Sequence, residues 1–577
     1  MVAAGALGAV AWQKKYGPDS AAAASNILRA DYVGSQECQS CHEEAFADWK
    51  RHPHGRMNQN PTADAIRGDF SGITEQYARG QASFTTEGGQ YFMTLSGKNE
   101  VRRRYRVTRT VGGIYTQFYI GVMVEGPEPK DSEYYSVEHK LPFGYWHRLK
   151  RWMPYNYFDP VGPELEADGT PKRDVFSQAE LDPWKANCML CHNTWPWLYR
   201  NVFARESDRG YPRPDQVVSK HRLWNEVATQ VDLSKATEVS TVAFGNALQP
   251  EKDLVELGIA CEACHLGGRA HVTSGSDVSG IPTSTLHGVL FVSRDSSPEA
   301  AHSFKKRGMC SECHSSTGKL WPNGGSAGNS REAIDLSVGA CKTELTCVHC
   351  HSPHAPPDAN PLVLRGKSIS SCATCHKDFQ KPEHVVAHSG HGADAKVDCL
   401  DCHMPRMSGG VSSVVHTHFI SSPSNEKMLA AGSPNACNLC HLDKSVRWTV
   451  EQLNAKWKLT LKADEAWAKN YVGGLDAPLG PSWLKSEEEE NRLVAGAAYG
   501  RKGPSALPHL IPALEDTAAV NRVFAGFAVE DARGRPLTTA EYDPAKLPAE
   551  RAKQIEALLQ QLSAAAPDAR PAAGGQP

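Results

Sequence analysis

The sequence predicts a mainly α chain with little regular structure in its middle, a β-rich insert near the N-terminal third and a C-terminal tail of helical hairpins. Three observations predict it. Between residues 310 and 441, short motifs of cysteine and histidine follow one another so closely that no conventional core fits between them. Earlier, QASFTTEGGQYFMTLSG and EVRRRYRVTRTVGGIYTQFYIGVMV carry β-branched and aromatic runs broken by glycine pairs, the pattern of β-hairpins. After His441, SVRWTVEQLNAKW, SEEEENRLVAGAAYGRKG, LPHLIPALED and PAERAKQIEALLQQL space their apolar residues at helical periods.

The motifs carry the chemistry. CVHCHSPHAPP, residues 347–357, begins with C-x-x-C-H, in which two thiols attach a c-type haem and the adjacent histidine ligates its iron. The pattern occurs eight times: Cys38, Cys41 and His42; Cys188, Cys191 and His192; Cys261, Cys264 and His265; Cys310, Cys313 and His314; Cys347, Cys350 and His351; Cys372, Cys375 and His376; Cys399, Cys402 and His403; Cys437, Cys440 and His441. These use sixteen of the seventeen cysteines and leave Cys341, which reads either as a buried free thiol or as half of an intermolecular bridge. Structural zinc does not require a histidine after each second cysteine, disulfides do not enforce a two-residue spacing, and a thioredoxin-like site occurs once in a βαβ unit. The recurrence therefore predicts eight haem c groups, which in such a dense stretch must themselves form the hydrophobic core.

At 577 residues the chain has room for roughly two to four compact units. The expected division is 1–30, a signal peptide or the remnant of a membrane anchor; 31–60, the first haem segment; 61–185, β-rich and haem-poor; 186–444, a core with seven motifs; 445–563, the helical tail; and 564–577, a disordered end. The apolar run Val2 to Trp12 is too short to span a bilayer, and the alanines of SAAAASN suit a cleavage site. Covalent haem attachment belongs outside the cytoplasm, so the protein is expected to be exported, periplasmic or extracellular, with membrane association possible through the N-terminus. A net charge of −3 gives no reason to expect nucleic-acid binding, and the haem propionates make the holoprotein more acidic still.

Sixteen histidines lie outside the motif-final positions. A ligand on the far face of an iron must pass the haem edge, so His354, close behind His351, and His271, close behind His265, can ligate only a neighbouring haem. His349, inside a motif, and His509, in the tail, are poor candidates. The run Arg102 to Arg106 reads as a solvated strand edge and SEEEEN as a helix start.

CQSCHEEAFADWKRHPHGRMNQ, LGIACEACHLGGRAHV, CVHCHSPH, HSGHGADAKVDCLDCHMPRM and THFISSPSNEKMLAAGSPNACNLCHLDKSVRWTVEQL together resemble bacterial multihaem cytochromes c. That family is related to the tetrahaem cytochrome of nitrification and often carries helical-repeat tails of TPR or HEAT type. The resemblance covers most of residues 35–565 and departs at LGGRAH, where a Gly-Pro-Gly turn is more usual. It implies that His54, His271, His354, His391 and His418 are distal ligands, and leaves the other three irons to His147, His221, His302, His384, His388 and His416.

The resulting expectation is an octahaem electron carrier with mostly bis-histidine irons and no catalytic residue, set in a larger redox assembly. Its partners would be other cytochromes or a membrane oxidoreductase. Two alternatives stand beside it: an oxidoreductase with one open iron acting on a small nitrogen or sulfur compound, although no C-x-x-C-K motif is present, and a self-assembling subunit of a conductive filament. The five haems from Cys310 to His441 are expected to form one chain, extended by those of Cys188 and Cys261 and joined by that of Cys38 through His54. The tail is expected to be a docking or packing element whose deletion leaves the haem spectrum nearly unchanged.

Overall fold

The structure, a computed structural model, describes residues 29–77, 79–97, 101–157, 175–176, 181–196, 249–274, 310–311, 313–316, 318–341, 345–354 and 371–565. The leader and the disordered end expected from the sequence fall outside these residues almost entirely.

The hairpin stretches do not remain an insert. They join into a nine-stranded antiparallel sheet: β1 (Asn58–Gln59), β2 (Ile73–Tyr77), β3 (Gly80–Glu87), β4 (Gln90–Gly97), β5 (Arg102–Gly112), β6 (Thr116–Glu125), β7 (His139–Lys140), β8 (Phe143–Trp146) and β9 (Arg151–Pro154). The main path runs β2-β3-β4-β5-β6-β8-β9, with β1 on β5 and β7 on β6. Gly88 and Gly89 turn β3 into β4 with φ of 56° and 75°, values that L side chains rarely adopt, and set Glu87 opposite Gln90. The two ends of the path then approach each other. Tyr77 Oη on β2 donates to the Trp152 carbonyl on β9 at 2.6 Å, and Arg151 pairs with Glu75 at 2.7 Å, so the sheet curls almost into a barrel.

The expected mainly α class is therefore overturned. The haem-poor stretch was read as separate hairpins, but its alternating side chains all turn to one interior. Ala82, Phe84, Met93, Leu95, Tyr105, Tyr119, Phe143 and Trp152 fill it. Phe84 stacks on Trp152 at 3.8 Å, and Phe70 meets both rings edge-on. The arginine run is corrected too. β5 lies between β4 and β6 rather than at an edge, and Arg103 is buried, donating to Glu128 at 2.8 Å and to the Phe176 carbonyl at 3.2 Å.

The tail packs helices Val446–Trp457, Leu479–Leu484, Glu489–Gly500, Leu507–Ala513, Ala519–Arg533 and Pro548–Ala565. Ser445 caps the first of them, its side chain accepting from Trp448 N at 3.2 Å. Ala519–Arg533 is apolar on nearly every side because it is the central helix, with Val520, Val523, Phe524, Phe527 and Val529 all buried. This core does not stop at the tail. Trp146, at the end of β8, meets Phe524 and Phe527 edge-on at 6.3 and 5.6 Å, while Arg148 lies over Phe527 and pairs with Asp531 at 2.6 Å. In the other direction the core reaches Trp321, Met407, Val414, Leu439 and Leu442 among the motif segments. Lys319 adds a tether, 2.7 Å from both Glu488 and Glu490 at the start of Glu489–Gly500.

Candidate haem sites

Each motif winds as one helical turn. His42, His192, His314, His351, His376 and His441 each donate their backbone N–H to the carbonyl of the cysteine four residues earlier, at 2.9 to 3.2 Å, and Cys261–His265 and Cys399–His403 are short helices. Positions i, i+3 and i+4 of a helix share a face, so both thiols and the imidazole of a motif point the same way. Local caps fix several turns. The Asp398 carboxylate accepts from Leu400 N and Asp401 N ahead of the Cys399 motif. Asn438 Nδ2 donates to the carbonyls of His441 and Lys444, both at 3.1 Å.

Long-range clasps then hold motifs together. Glu262, inside the Cys261 motif, is buried and accepts from Val33 N, Gly34 N and Gly268 N at 3.0, 2.7 and 2.7 Å. Glu256 accepts from Ser35 N and Ser35 Oγ, and Trp49 Nε1 donates to the Ile259 carbonyl at 2.8 Å. The first motif is thereby laid on the third. LGGRAH makes this possible: Leu266 takes a positive φ of 61°, and a Cβ on Gly267 would sit 2.6 Å from Asp31 Cβ.

Five motif histidines face a histidine from another segment. Ring centres are 6.2 Å apart for His42 and His271, 6.0 Å for His265 and His354, 6.1 Å for His351 and His418, 6.1 Å for His403 and His388, and 6.2 Å for His441 and His391. The ring planes are inclined by 13° to 31°. Two metal–nitrogen bonds of about 2.0–2.1 Å each, plus the offset of each nitrogen from its ring centre, add to about 6 Å. The spacing is thus that of two imidazoles on opposite sides of one metal ion. Burial disfavours the charged ring and holds His418 down at about 4, keeping it in the neutral form that ligates metals.

His388 was one of six open candidates, and the structure sets it opposite His403. It closes helix Pro382–Ser389, and Gly390 follows in the left-handed region at φ 72°, so His391 turns away towards His441. The H-x-x-x-H-x-x-H spacing of His384, His388 and His391, read with the proline start and glycine stop, is the signal that would have found it. His54 is not set against a motif ring at such a spacing; its ring lies 4.7 Å from that of His52. Burial lowers it to about 3, helped by His52 and His314 nearby, so its neighbour among the motifs is His314. His147 lies beside Tyr145, and His416 bonds the Met404 carbonyl; neither these nor His384 makes a ring pair with a motif histidine among the described residues. His221 and His302 lie outside the described residues. For His192 and His376, no imidazole partner appears among the described residues. Burial lowers His192 to about 4, and its Nδ1 has no hydrogen-bond partner there.

Electrostatic neighbours order the motifs. Cys38 lies within hydrogen-bonding reach of Cys261, and Cys372 of Cys399. Cys350 lies within electrostatic reach of Cys372, Cys402 of Cys437, and His314 of both Cys191 and Cys347. With His354 carrying the Cys347 segment to His265, these links join all eight motifs.

The residues fit haem c better than a bare metal ion. Among the described residues no three His, Cys, Asp or Glu converge as ligands of a bare ion. Burial pushes the thiols of Cys188 and Cys437 up to about 11, while the neighbouring Cys372 draws Cys399 down to about 7. Helix Pro382–Ser389 has no buried residue, although His388 near its end and His391 just beyond it are two of the paired imidazoles. Cys341 is half-buried, its thiol raised by burial with Cys375 nearby.

No family model and no curated protein matches the chain. A solved structure described as the outer cell wall cytochrome OcwA aligns with a TM-score of 0.40 and 15% identity, covering 92% of this chain and 100% of that one. That likeness carries no argument about function here. Among the described residues no helix is long and apolar enough to cross a membrane.

Proposed function

We propose that the chain is an exported multihaem c-type cytochrome, with a haem on each of its eight motifs, that relays electrons and converts no substrate. The observation that carries the reading is the set of five imidazole pairs at 6.0 to 6.2 Å, each joining a motif histidine to one outside the motifs. When bound, haem supplies a one-electron iron couple. The chain's residues would attach it and, at five of the motifs, offer it one imidazole from each side, which suits transfer and disfavours small ligands there. Cross-pairing brings neighbouring haems close, as a relay requires. Redox proteins are the partners that such a relay needs on either side.

The test is haem stoichiometry by intact mass together with electron paramagnetic resonance. Eight covalent haems and low-spin ferric signals are expected; an absence of covalent haem refutes the reading. H388A and H391A should each open one iron, seen as carbon monoxide binding to the reduced protein where the parent binds little.

One observation favours the open-iron alternative. Among the described residues nothing imidazole stands across from His192, and its Nδ1 lacks a partner. Stoichiometric carbon monoxide binding by the parent protein, abolished by C188A/C191A, would place an open iron there.

A further inference from the structure

Glu332 stands out among the groups around the motifs, because it places a carboxylate where the other resolved contacts place a carbonyl. His403 Nδ1 bonds the Ser421 carbonyl at 3.0 Å and His391 Nδ1 bonds the Ser389 carbonyl at 2.9 Å. His314 Nδ1 instead donates to Glu332 Oε2 at 3.0 Å. The carboxylate is held in place from its other side: Ser330, with a positive φ of 63°, donates its N–H to Glu332 Oε1 at 2.8 Å. Ala333 N also donates to the His314 carbonyl at 3.0 Å, so the histidine is gripped at both ring and backbone by the start of helix Glu332–Val338. The His314 side chain is 48% accessible. The carboxylate also lies within electrostatic reach of His418, which pairs with His351.

An acceptor carrying a full charge draws the Nδ1 proton towards itself and makes the opposite ring nitrogen a stronger donor. A stronger, more negative axial ligand favours ferric over ferrous iron. We propose that Glu332 is a positioning residue that lowers the reduction potential of the haem attached at Cys310 and Cys313 below that of haems whose histidines bond carbonyls. This rests on the reading of the motifs as haem sites. Cys191 and Cys347 both lie within electrostatic reach of His314, so this haem would have a neighbour on either side and act as a step that electrons pass rather than rest on.

The experiment is spectroelectrochemical titration of the holoprotein and its E332Q variant, with haem count by intact mass. E488Q, at an exposed acid paired with Lys319, is the control. E332Q should keep eight haems and raise one midpoint by about tenfold in the reduced-to-oxidised ratio, close to 59 mV for one electron, with no new high-spin signal. E488Q should move nothing. Should E332Q lose a haem, E332D takes its place and should give a smaller upward shift. Eight retained haems with every midpoint unchanged overturns the proposal, and loss of the same haem in both variants overturns it in favour of a purely structural clasp. A parent protein without covalent haem refutes the cytochrome reading instead, so the two failures are distinguishable.

Discussion

The sheet and the motif segments solve the same burial problem in opposite ways. Strands β2–β9 enclose Phe84, Tyr105, Tyr119, Phe143 and Trp152, and Phe84, Tyr119, Phe143 and Trp152 each meet another ring. Residues 377–403 hold helix Pro382–Ser389 and the turns Lys377–Gln380 and Ala393–Ala395, and none of these has a buried residue. A chain folds when apolar burial outweighs the conformational entropy it loses. The sheet meets that condition with its own side chains, and under our reading residues 377–403 meet it only with porphyrin. The difference is one of where the core comes from.

The largest effect should come from withholding haem. In protein made without covalent attachment, residues 371–403 should be cut rapidly by protease, while the sheet and the tail helices resist. Mass spectrometry of the fragments checks this, and equal resistance throughout would erase the contrast. Deleting residues 445–565 should come next. The tail shares one core with Trp146 on the sheet and with Leu439 and Leu442 around the last motif. The spectrum is therefore not expected to survive unchanged: intact mass should show loss of the haem at Cys437, and apolar dye binding should report the uncovered end of β8. The sequence-based expectation is a docking or packing element whose deletion leaves the haem spectrum nearly unchanged, and the shared core argues for a change at the last motif instead.

Within the sheet, W152A removes the ring on which Phe84 stacks and should cost about 3–5 kcal/mol, read from thermal unfolding of the sheet with the haem spectrum unmoved. The smallest effect concerns Asp335, buried beside the haem segments and raised by that burial to about 6. A carboxyl whose folded value lies above its ordinary one favours the folded state when protonated. Its penalty is absent below about pH 4 and grows as pH rises through 6. D335N, which keeps an acceptor for Ser326 N, should match the parent at low pH and exceed it by about 1–3 kcal/mol above pH 6, measured by denaturant unfolding.

What was legible in the sequence follows the same division. C-x-x-C-H announces itself because covalent attachment and ligation demand fixed spacing. The hairpins were legible one by one from Gly88-Gly89 and the alternation around Phe84. Their closure was not, because it depends on Tyr77 reaching Trp152 across the whole sheet. The same limit hid Arg103, which resembles a solvent arginine until Glu128 and Phe176 are brought to it. Of the histidines the resemblance implied, His271, His354, His391 and His418 lie opposite motif rings, and His54 lies near His314 instead. Glu332 had no signal at all, since it lies outside the motifs, eighteen residues after His314, and nothing in their spacing marks them.

The cross-pairing of histidines has a consequence for how the chain is made. His42 emerges early, yet the ring that faces it, His271, follows only after the whole sheet has been synthesised. Domains fold from the N-terminus as the chain appears. A haem attached at Cys38 and Cys41 would then hold a one-sided iron for as long as the rest of the chain takes to arrive, and the same holds for His265 until His354 is in place. Under this reading the five paired irons of the finished molecule would be closed to small ligands, whereas in the nascent one they would stand open in turn. Oxidants or carbon monoxide should therefore do their damage during biogenesis, at a stage when the mature protein's inertness offers no protection.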